Sequence, residues 1–437
     1  MSDTIFALSS APGRAGVAVV RVSGPSSGHC LRVLTGAPIP PPRTAALRRL
    51  RDCKGREIDQ ALVLWFAGPS SFSGEDMVEF HIHGGRAIVQ RLLEELAELP
   101  GCRPAEPGEF TRRAVESGKI DLTQAEALKD LVDAETESQR RQALRQYGGA
   151  LTVLYEDWRT RLIRVCGWAE AVIDFSDEEI PSDLLSRSRA ELSNIIKEIQ
   201  RHTNDDRRGE LVREGLYLTV IGPPNAGKSS LINALAKRDV AIVAETPGTT
   251  RDVVEVKLDL GGFAVVVADT AGLREAADIV ENEGVRRALA RAEASDLVLL
   301  LLDGSSTDPF AGLPRQTAEQ ASLTVWNKAD LPWPVARQGL RLSLKTGEGF
   351  EQLLVAIEAK VAELLDMPRE APLLTRARHR YALEQAEGAL TRALAVHEIE
   401  LFAEDLRLAA SWIGRITGRI DVEELLDVIF RDFCIGK

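Results

Sequence analysis

Paired cysteines are missing from this 437-residue chain. Its five cysteines are odd in number, widely scattered and without a C-x-x-C pair (Cys30, Cys53, Cys102, Cys166 and Cys434). This usage argues against a disulfide framework and against a zinc site, because both need cysteines at closer, paired spacing. We therefore expect a reduced, cytoplasmic setting.

Long hydrophobic runs are also missing. No window holds about eighteen consecutive apolar residues, so no membrane span is expected. The N-terminal stretch MSDTIFALSS has neither a basic region nor a long apolar segment, which argues against a secretory signal. The length exceeds what one compact core accommodates, and about two to four domains are expected.

An excess of positive charge is the third absence, since the formal net charge is −12. A protein that coats a phosphate backbone needs surplus lysine and arginine, so wholesale coating is excluded and only a local basic groove remains open. We interpret the pairs Arg140–Arg141 and Arg207–Arg208 as solvated helix faces rather than nucleic-acid sites.

Residues 1–118 are predicted to form an α+β domain. Alternating apolar runs predict four strands and a helix: Ile5–Ser9, Gly16–Val22, Ala61–Phe66, Val78–His83 and helix Arg86–Leu99. His81 and His83 share one strand face, where a metal pair is one alternative. Because no third ligand is evident, we favour a structural or binding role.

Residues 119–212 and 372–437 are predicted to be helical. Apolar residues recur at spacings of three and four in Leu151–Val172 and Leu184–Ile199, and again in Leu383–Leu394 and Leu406–Ile416. Asp421 and Glu424 are typical of a capping box for a last helix. We favour one bundle with residues 213–371 inserted into it over two separate small bundles, because each half alone has a thin core.

Residues 213–371 alternate apolar strands with helices, which predicts a doubly wound α/β domain. The strands expected are Leu216–Ile221, Val253–Leu258, Phe263–Ala268, Asp296–Leu302, Leu323–Trp326 and Leu340–Ser343. The fold class predicted for the whole chain is therefore multidomain α/β, with an N-terminal α+β domain, a helical bundle and an inserted domain.

The stretch Gly222 to Ser230, GPPNAGKSS, fits the phosphate-loop pattern G-x-x-x-x-G-K-S between a strand and a helix. Its backbone N–H groups and the helix N-terminus attract phosphate oxygens. Lys228 is expected to reach the β- and γ-phosphates, and Ser229 to bind Mg²⁺. The predicted nucleotide contacts here are Asn225, Ala226, Gly227, Lys228, Ser229 and Ser230.

Three further segments follow predicted strands and indicate which nucleotide binds. Asp330 in NKAD can accept two hydrogen bonds from guanine, whereas adenine lacks that donor pair and would leave the carboxylate unpaired. The segment SLK at 343–345 can close over the base, and DTAG at 269–272 can sense Mg²⁺ and the γ-phosphate. GTP or GDP is therefore predicted, with contacts from Asp269, Thr270, Ala271, Gly272, Asn327, Lys328, Asp330, Ser343, Leu344 and Lys345.

The segment TPGTTRD at 246–252 is typical of a switch, in which Thr250 completes the Mg²⁺ shell only when the γ-phosphate is bound. Leu273 stands where Ras-type enzymes carry a water-orienting glutamine. Another group must orient the water, with candidates Glu275, Asp278, Glu281 and Glu283. Asn225 and the backbone of the loop at 244–249 could hold a monovalent cation, although Asn225 is equally well explained as a turn-former.

The motifs GPPNAGKSS, TPGTTRD, DTAGLRE and NKAD, with the C-terminal CIGK, together resemble the MnmE (TrmE) family of tRNA-modification GTPases along the whole chain. The N-terminal stretches APGRAGVAVVRVSG, FSGEDMVEFHIHGG and GKIDLTQAEA resemble the same family. The inserted domain is accordingly expected to be a Ras-like GTP-binding (G) domain.

The resemblance also implies ligands. Residues 1–118 would dimerise and bind 5-formyl- or 5,10-methylene-tetrahydrofolate, with Arg21, Glu79, Lys119 and Lys437 as contacts. K⁺ would be held by Asn225, Ala244, Thr246 and Thr249, and Mg²⁺ by Ser229 and Thr250. Glu281 would orient the attacking water, and Lys228 would be a second catalytic residue. Cys434 would be a reactive thiol; an inert surface cysteine is the alternative, and Gly436 and Lys437 fit a prenylation signal poorly.

The activity that the resemblance implies is GTP hydrolysis, stimulated by K⁺ and by pairing of G domains. The homodimer would act with a flavin- and NADH-dependent partner of the MnmG (GidA) type, in a heterotetramer or larger assembly. Together they would add an aminomethyl or carboxymethylaminomethyl group to C5 of the wobble uridine (position 34) of certain tRNAs. The rival classes are a ribosome-assembly or RNA-chaperone GTPase, which would carry a compact basic RNA module, and a purely mechanical or membrane GTPase.

Overall fold

The computed structural model describes residues 3–174, 184–238, 240–242, 255–268, 295–311, 313, 318–319, 321–365, 374–420, 426, 429–431 and 433–436. By packing, the chain divides into two compact units. The first contains residues 1–129, 147–164 and 407–437, and the second contains residues 130–146 and 165–406. The four-segment division expected from the sequence stays a prediction.

The helices with described bounds lie along the whole chain. They are α1 Ser27–Thr35, α2 Arg86–Ala97, α3 Glu109–Glu116, α4 Leu122–Asp133, α5 Glu137–Tyr147, α6 Ala150–Asp174, α7 Leu184–Thr203, α8 Arg208–Glu214, α9 Lys228–Ala236, α10 Phe350–Leu364, α11 Ala377–Ala395 and α12 Ile399–Thr417. None of the described helices is both long and apolar enough to cross a membrane.

The first unit contains a six-stranded sheet. Its strands are β1 Thr4–Leu8, β2 Ala15–Ser23, β3 Ala46–Arg51, β4 Glu57–Phe66, β5 Met77–Gly84 and β6 Cys102–Pro104. They lie in the order β3-β4-β5-β2-β1-β6, so β3 and β6 are the edges. Neighbours are antiparallel except β1 and β6, which run parallel. The four predicted strands are present, whereas β3 and β6 were not predicted.

Helices α1 and α2 cover one face of this sheet. Alternate residues of the strands, including Val20, Val63 and Phe80, pack there against Leu31 of α1 and Leu92 of α2. The period-two alternation of strands sends the intervening residues to the opposite face. That face therefore carries the polar side chains of β2 and β5, and part of it is covered by Phe110 of α3, which packs against Ile5 and Ala7.

The C-terminal tail lies against the N-terminal part of the same unit. Ile435 forms a β-bridge with Pro107, and the Gly108 N–H donates to the Cys434 carbonyl at 3.3 Å. The Ser9 hydroxyl donates to the Gly436 carbonyl at 2.9 Å. Gly436 has φ +100°, and a Cβ there would lie 2.2 Å from the Leu8 carbonyl oxygen. Only glycine permits this approach.

The second unit contains a seven-stranded sheet. Its strands are β7 Leu216–Ile221, β8 Ala241–Ile242, β9 Glu255–Leu260, β10 Phe263–Ala268, β11 Leu297–Asp303, β12 Leu323–Asn327 and β13 Leu340–Arg341. Their order is β13-β12-β11-β7-β10-β9-β8, with β7 central and parallel to β10 and β11. Strands β9 and β8 close one edge in antiparallel pairing.

Both faces of this sheet are buried. One face contributes Val220 and Leu299 to a core shared with α9 and α10, and the other contributes Ile221 and Leu300 to a second core that includes Trp326. Burial on both sides explains why these strands read as continuous apolar runs. The chain is therefore a multidomain α/β protein.

A helix that precedes the seven-stranded sheet in the sequence packs against a helix that follows it. Arg189 of α7 donates to the carbonyl oxygens of Leu394 and Val396 at 2.6 and 2.7 Å, at the end of α11. Helix α7 precedes the α/β segment and α11 follows it. The contact joins two helices of the second unit, and the choice between one bundle and two stays a prediction. The expected capping box at Asp421 and Glu424 lies outside the described residues.

Candidate nucleotide-binding site

The phosphate loop connects the buried strand β7 to helix α9. Gly222 has φ +155°, and a Cβ there would lie 2.1 Å from the carbonyl oxygen of Leu301 on β11. Gly227, at φ +104°, immediately precedes α9, and its Cβ would lie 2.5 Å from Nδ2 of Asn327. Both positions therefore require glycine, for the close approach as well as for the backbone conformation.

Lys228 folds back over the loop. Its Nζ donates to the carbonyl oxygens of Gly222 and Pro223, both at 2.8 Å. The ammonium is thereby fixed above the backbone that would surround phosphates. Ser229 and Ser230, in the first turn of α9, are exposed. Exposed hydroxyls at a helix N-terminus suit an anion with its associated Mg²⁺.

Asn225 lies at the tip of the loop in the left-handed conformation, with φ +62°. Asparagine is one of the few non-glycine residues that adopt this conformation readily. Its side chain is exposed, whereas the neighbouring Ala226 is buried. Asn225 therefore forms the turn, and its exposed amide oxygen is accessible to a cation.

Asn327, at the end of β12, joins two parts of the site. Its Nδ2 donates to the carbonyl oxygen of Ala226 at 2.8 Å, and its Oδ1 accepts from the Leu344 N–H at 3.3 Å. The side chain is almost fully buried, at 4% exposure. One asparagine thus holds the phosphate loop against the segment after β13.

Lys328 is fixed by a residue that the sequence reasoning missed. Its Nζ lies 2.5 Å from Oδ2 of Asp303, the last residue of β11. Burial favours a higher pKa for Asp303, but hydrogen bonds from Lys328 and Ser305 outweigh it and hold that pKa below its ordinary value. The signal available in the sequence was an acidic residue at the end of a neighbouring parallel strand.

Asp330 carries the expected base-recognition group. The Ser343 hydroxyl donates to its Oδ1 at 2.7 Å, and this hydrogen bond, with the nearby Lys345 and Lys328, lowers the pKa of the carboxyl. Ser343 itself is fully buried. The exposed carboxylate is therefore held ionised, in the acceptor-only form that the two guanine donors need.

The structure brings together the predicted residues at the carboxyl ends of β7, β12 and β13. Other predicted site residues lie outside the described residues: Ala244, Thr246, Thr249, Thr250, Asp269, Thr270, Ala271, Gly272, Glu281 and Lys437, together with Leu273 and the alternative carboxylates Glu275, Asp278 and Glu283.

Arg21 and Glu79 form a cross-strand pair in the first unit. Nε and Nη2 of Arg21 lie 3.0 and 2.9 Å from Oε1 of Glu79, on paired positions of β2 and β5. The guanidinium carbon also lies 5.7 Å from the ring centroids of Phe72 and Phe110. The two side chains of the pair are 21% and 15% exposed. Phe72 beside them is partly exposed, whereas Phe110 is fully buried.

Other predicted residues of this unit lie apart or have partners of their own. Lys119 is exposed just beyond α3, and among the described contacts none links it to the Arg21–Glu79 pair. His81 lies 3.4 Å from Glu79, whereas His83 lies 2.8 Å from Asp59. Each histidine thus contacts a different carboxylate. Cys434 is an exposed, free thiol on the tail.

Comparison with known families settles the relationship. A family model described as the MnmE helical domain matches residues 122–434, and one described as the GTP-binding protein TrmE N-terminus matches residues 4–119. This chain belongs to the MnmE family. The two matches together span nearly the whole length.

Full-length relatives in the MnmE family agree. The tRNA modification GTPase MnmE of Parvibaculum lavamentivorans is 53% identical over 440 residues, and that of Paramagnetospirillum magneticum is 54% identical over 443 residues; both alignments cover 100% of each chain. The human mitochondrial 5-taurinomethyluridine-[tRNA] synthase subunit GTPB3 is 47% identical over 459 residues, covering 99% of this chain and 93% of its own.

Proposed function

We propose that this protein is an Mg²⁺- and K⁺-dependent GTPase whose cycle drives modification of the wobble uridine in certain tRNAs. Membership of the MnmE family makes it a GTPase of tRNA modification. The observation that carries the proposal is the contact of the phosphate loop with NKAD and SLK at the carboxyl ends of β7, β12 and β13 in one sheet, linked through Asn327.

Selection of guanine rests on Asp330. Its ionised carboxylate accepts from guanine N1–H and N2–H₂, and an adenine base would leave this acceptor unpaired. The Ser343 hydrogen bond fixes the orientation of the carboxylate. Asp303, at the end of the neighbouring strand β11, forms an ion pair with Lys328. We infer that this contact preorganises the base-binding segment before nucleotide binds.

Binding of the phosphates rests on the loop and Lys228. The ammonium exchanges its backbone partners for β- and γ-phosphate oxygens, and the N-terminal N–H groups of α9 add further donors. Ser229 and Thr250 are proposed as the protein ligands of Mg²⁺, which would neutralise the charge that develops on the phosphate oxygens. The exposed position of Ser229 fits this role.

Hydrolysis needs a substitute for the missing glutamine at Leu273. We assign orientation of the water to Glu281, with Glu275, Asp278 and Glu283 as neighbouring alternatives. K⁺ is assigned to Asn225, Ala244, Thr246 and Thr249, where it would supply positive charge in place of an arginine finger. The exposed Asn225 amide supports the K⁺ assignment. We also propose that two G domains pair across the nucleotide.

A tetrahydrofolate carrier, 5-formyl or 5,10-methylene, is assigned to the first unit. The Arg21–Glu79 pair beside the partly exposed Phe72 supports it, because a pterin presents both a flat face and hydrogen-bonding edges. Lys119 and Lys437 are proposed as further contacts. The carrier would supply the one-carbon unit.

The modification itself is proposed to need a second protein. A homodimer of this chain would act in the cytoplasm with a flavin- and NADH-dependent partner of the MnmG type, in a heterotetramer or larger assembly. The product would be an aminomethyl or carboxymethylaminomethyl group at C5 of the wobble uridine. Cys434 is proposed as a reactive thiol, supported by its exposure on the tail.

Steady-state hydrolysis by the full chain tests this proposal. GTP turnover in K⁺ is expected to exceed turnover in Na⁺ at equal ionic strength, and ATP is expected to be a poor substrate. Glu281→Ala is expected to lower kcat by about 10²-fold or more, with nucleotide affinity within about threefold of wild type. Equal rates in K⁺ and Na⁺ would refute the cation assignment, and an unchanged kcat would move the role to a neighbouring carboxylate.

A further inference from the structure

One short segment concentrates positive charge on an otherwise acidic protein. Residues 43–56, RTAALRRLRDCKGR, contain six basic residues and one acidic residue, a local net charge of +5 in a chain of net charge −12. This density is what a phosphate-binding surface needs, although the whole chain lacks it.

The fold places this segment on an open edge. Strand β3 is the outermost strand of the six-stranded sheet, and its Leu50 packs into the core beneath α1 and α2. Because side chains alternate along a strand, Arg49 and Arg51 lie on the opposite, exposed face. Five exposed cations along this edge, which we term the basic edge, are Arg43, Arg49, Arg51, Lys54 and Arg56.

Most of the positive charge on this edge lacks a carboxylate partner. Arg56 is paired with Asp52 at 2.7 Å. In the described part of the chain, no acidic oxygen lies within 4.0 Å of a charged nitrogen of Arg49, Arg51 or Lys54. Clustered like charges repel one another, and an external anion would relieve that repulsion.

Two other arginine pairs show a different arrangement. Arg140 and Arg141 both contact Glu137, at 2.7 and 2.6 Å. Arg207 contacts Glu210 at 2.7 Å, and Arg208 contacts Asp206 at 3.3 Å. Each of these four arginines contacts a carboxylate, although Arg140 and Arg141 share one. The cations without a carboxylate on the basic edge are therefore not typical of arginine pairs in this chain.

The neighbouring surface also suits a nucleic acid. Leu47 is 63% exposed and lies opposite Leu62, which is 46% exposed, and Leu62 lies opposite His81 of β5. Apolar and imidazole side chains beside a row of cations can contact sugars and unstacked bases. The surface therefore offers more than point charges.

We propose that the basic edge binds the phosphate backbone of tRNA. The proposal rests on the tRNA-modification function above and assigns a surface to that substrate. Arg49 and Arg51 are two residues apart on an extended strand, about 6.5 Å along the chain, and so can contact neighbouring phosphates. A protein partner that adds a strand to β3 is disfavoured, because charged side chains on an edge strand oppose such pairing.

Fluorescence anisotropy with an end-labelled, unmodified tRNA transcript tests the assignment on the full chain. Arg49→Glu/Arg51→Glu is expected to weaken binding about tenfold or more near 100 mM salt, and to reduce the slope of log Kd against log salt concentration by about 2. The matched control is Arg32→Glu/Arg86→Glu, which makes the same charge change at two exposed arginines of α1 and α2. It is expected to bind within about threefold of wild type.

Hydrolysis of GTP by the same proteins separates this inference from the proposed function. The β3 variant is expected to retain wild-type turnover without tRNA. Its circular dichroism and thermal unfolding are expected to match wild type, which checks that the first unit, where β3 lies, still folds. Wild-type tRNA affinity or an unchanged salt slope in that variant would overturn the inference while the GTPase assignment stands. Equal loss in the control variant would overturn it too, because the effect would then follow net charge. If the wild-type protein does not hydrolyse GTP at all, the proposed function is overturned instead.

Discussion

At the residue scale, Asp330 is expected to determine which nucleotide base the protein binds. Its two carboxylate oxygens match two guanine donors, whereas the amide of Asn can accept one hydrogen bond and donate to the additional carbonyl of xanthine. Asp330→Asn is expected to weaken GTP binding by roughly 10- to 100-fold and to strengthen xanthosine triphosphate binding. Competition with a fluorescent nucleotide measures both affinities.

The control for this substitution is Asp308→Asn, which removes the same charge at an exposed position of the loop after β11. It is expected to leave both affinities at wild-type values. If Asp330→Asn discriminates against xanthosine triphosphate as strongly as wild type does, Asp330 does not read the base.

Single residues also show what a sequence can and cannot predict about this site. The motif NKAD identifies Asp330 because the acceptor pattern follows from its chemistry alone. The contacts of Asn327 with Ala226 and Leu344, and of Lys328 with Asp303, depend on which strands are neighbours. Strand order is set by packing, so these contacts become visible only in the fold.

At the element scale, the stability of the junction of α7, α8 and α11 is expected to depend on pH. Arg380 of α11 contacts Asp205 at 2.7 Å and Glu210 at 3.2 Å. Burial lowers the pKa of the nearby His202 to about 4; Asp205 opposes that shift, and Arg380 reinforces it. The ordinary pKa of histidine is 6.5, so the unfolded chain binds more protons than the folded chain between these values.

Stability contributed by neutral His202 is therefore fully present above pH 6.5 and is lost as the pH falls toward about 4. The free energy of unfolding of wild type is expected to fall by up to about 3 kcal/mol more than that of His202→Gln across this window. Urea unfolding of both proteins at several pH values measures the difference, and carboxylates common to both cancel. Parallel pH profiles would show that His202 is not held neutral.

Elements differ in how well their sequences predict them. Strands β7 and β10 are found at the predicted residues because burial on both faces makes them continuous apolar runs. Strand β3 was missed because its edge position lets arginines replace the apolar alternation, and β6 because it has only three residues. Edge strands are specified by their neighbours more than by their own composition.

At the scale of the whole molecule, the contact between the two ends of the chain was beyond sequence reasoning. Ser9 and Gly436 are 427 positions apart, yet they share a hydrogen bond. No local pattern encodes such a pairing, since it follows from how the C-terminal segment packs against the N-terminal sheet. Chain length did predict a multidomain protein, and the GTPase motifs predicted the nucleotide.

The central claim is that this GTPase is needed for C5 modification of the wobble uridine, and mass spectrometry of tRNA nucleosides tests it most directly. Cells lacking the gene are expected to contain wobble uridine without the C5 aminomethyl-type group. The wild-type gene is expected to restore the group, whereas Asp330→Asn and Arg21→Ala are not. Full restoration by Arg21→Ala would contradict the folate assignment, and persistence of the modified uridine in cells without the gene would contradict the account as a whole.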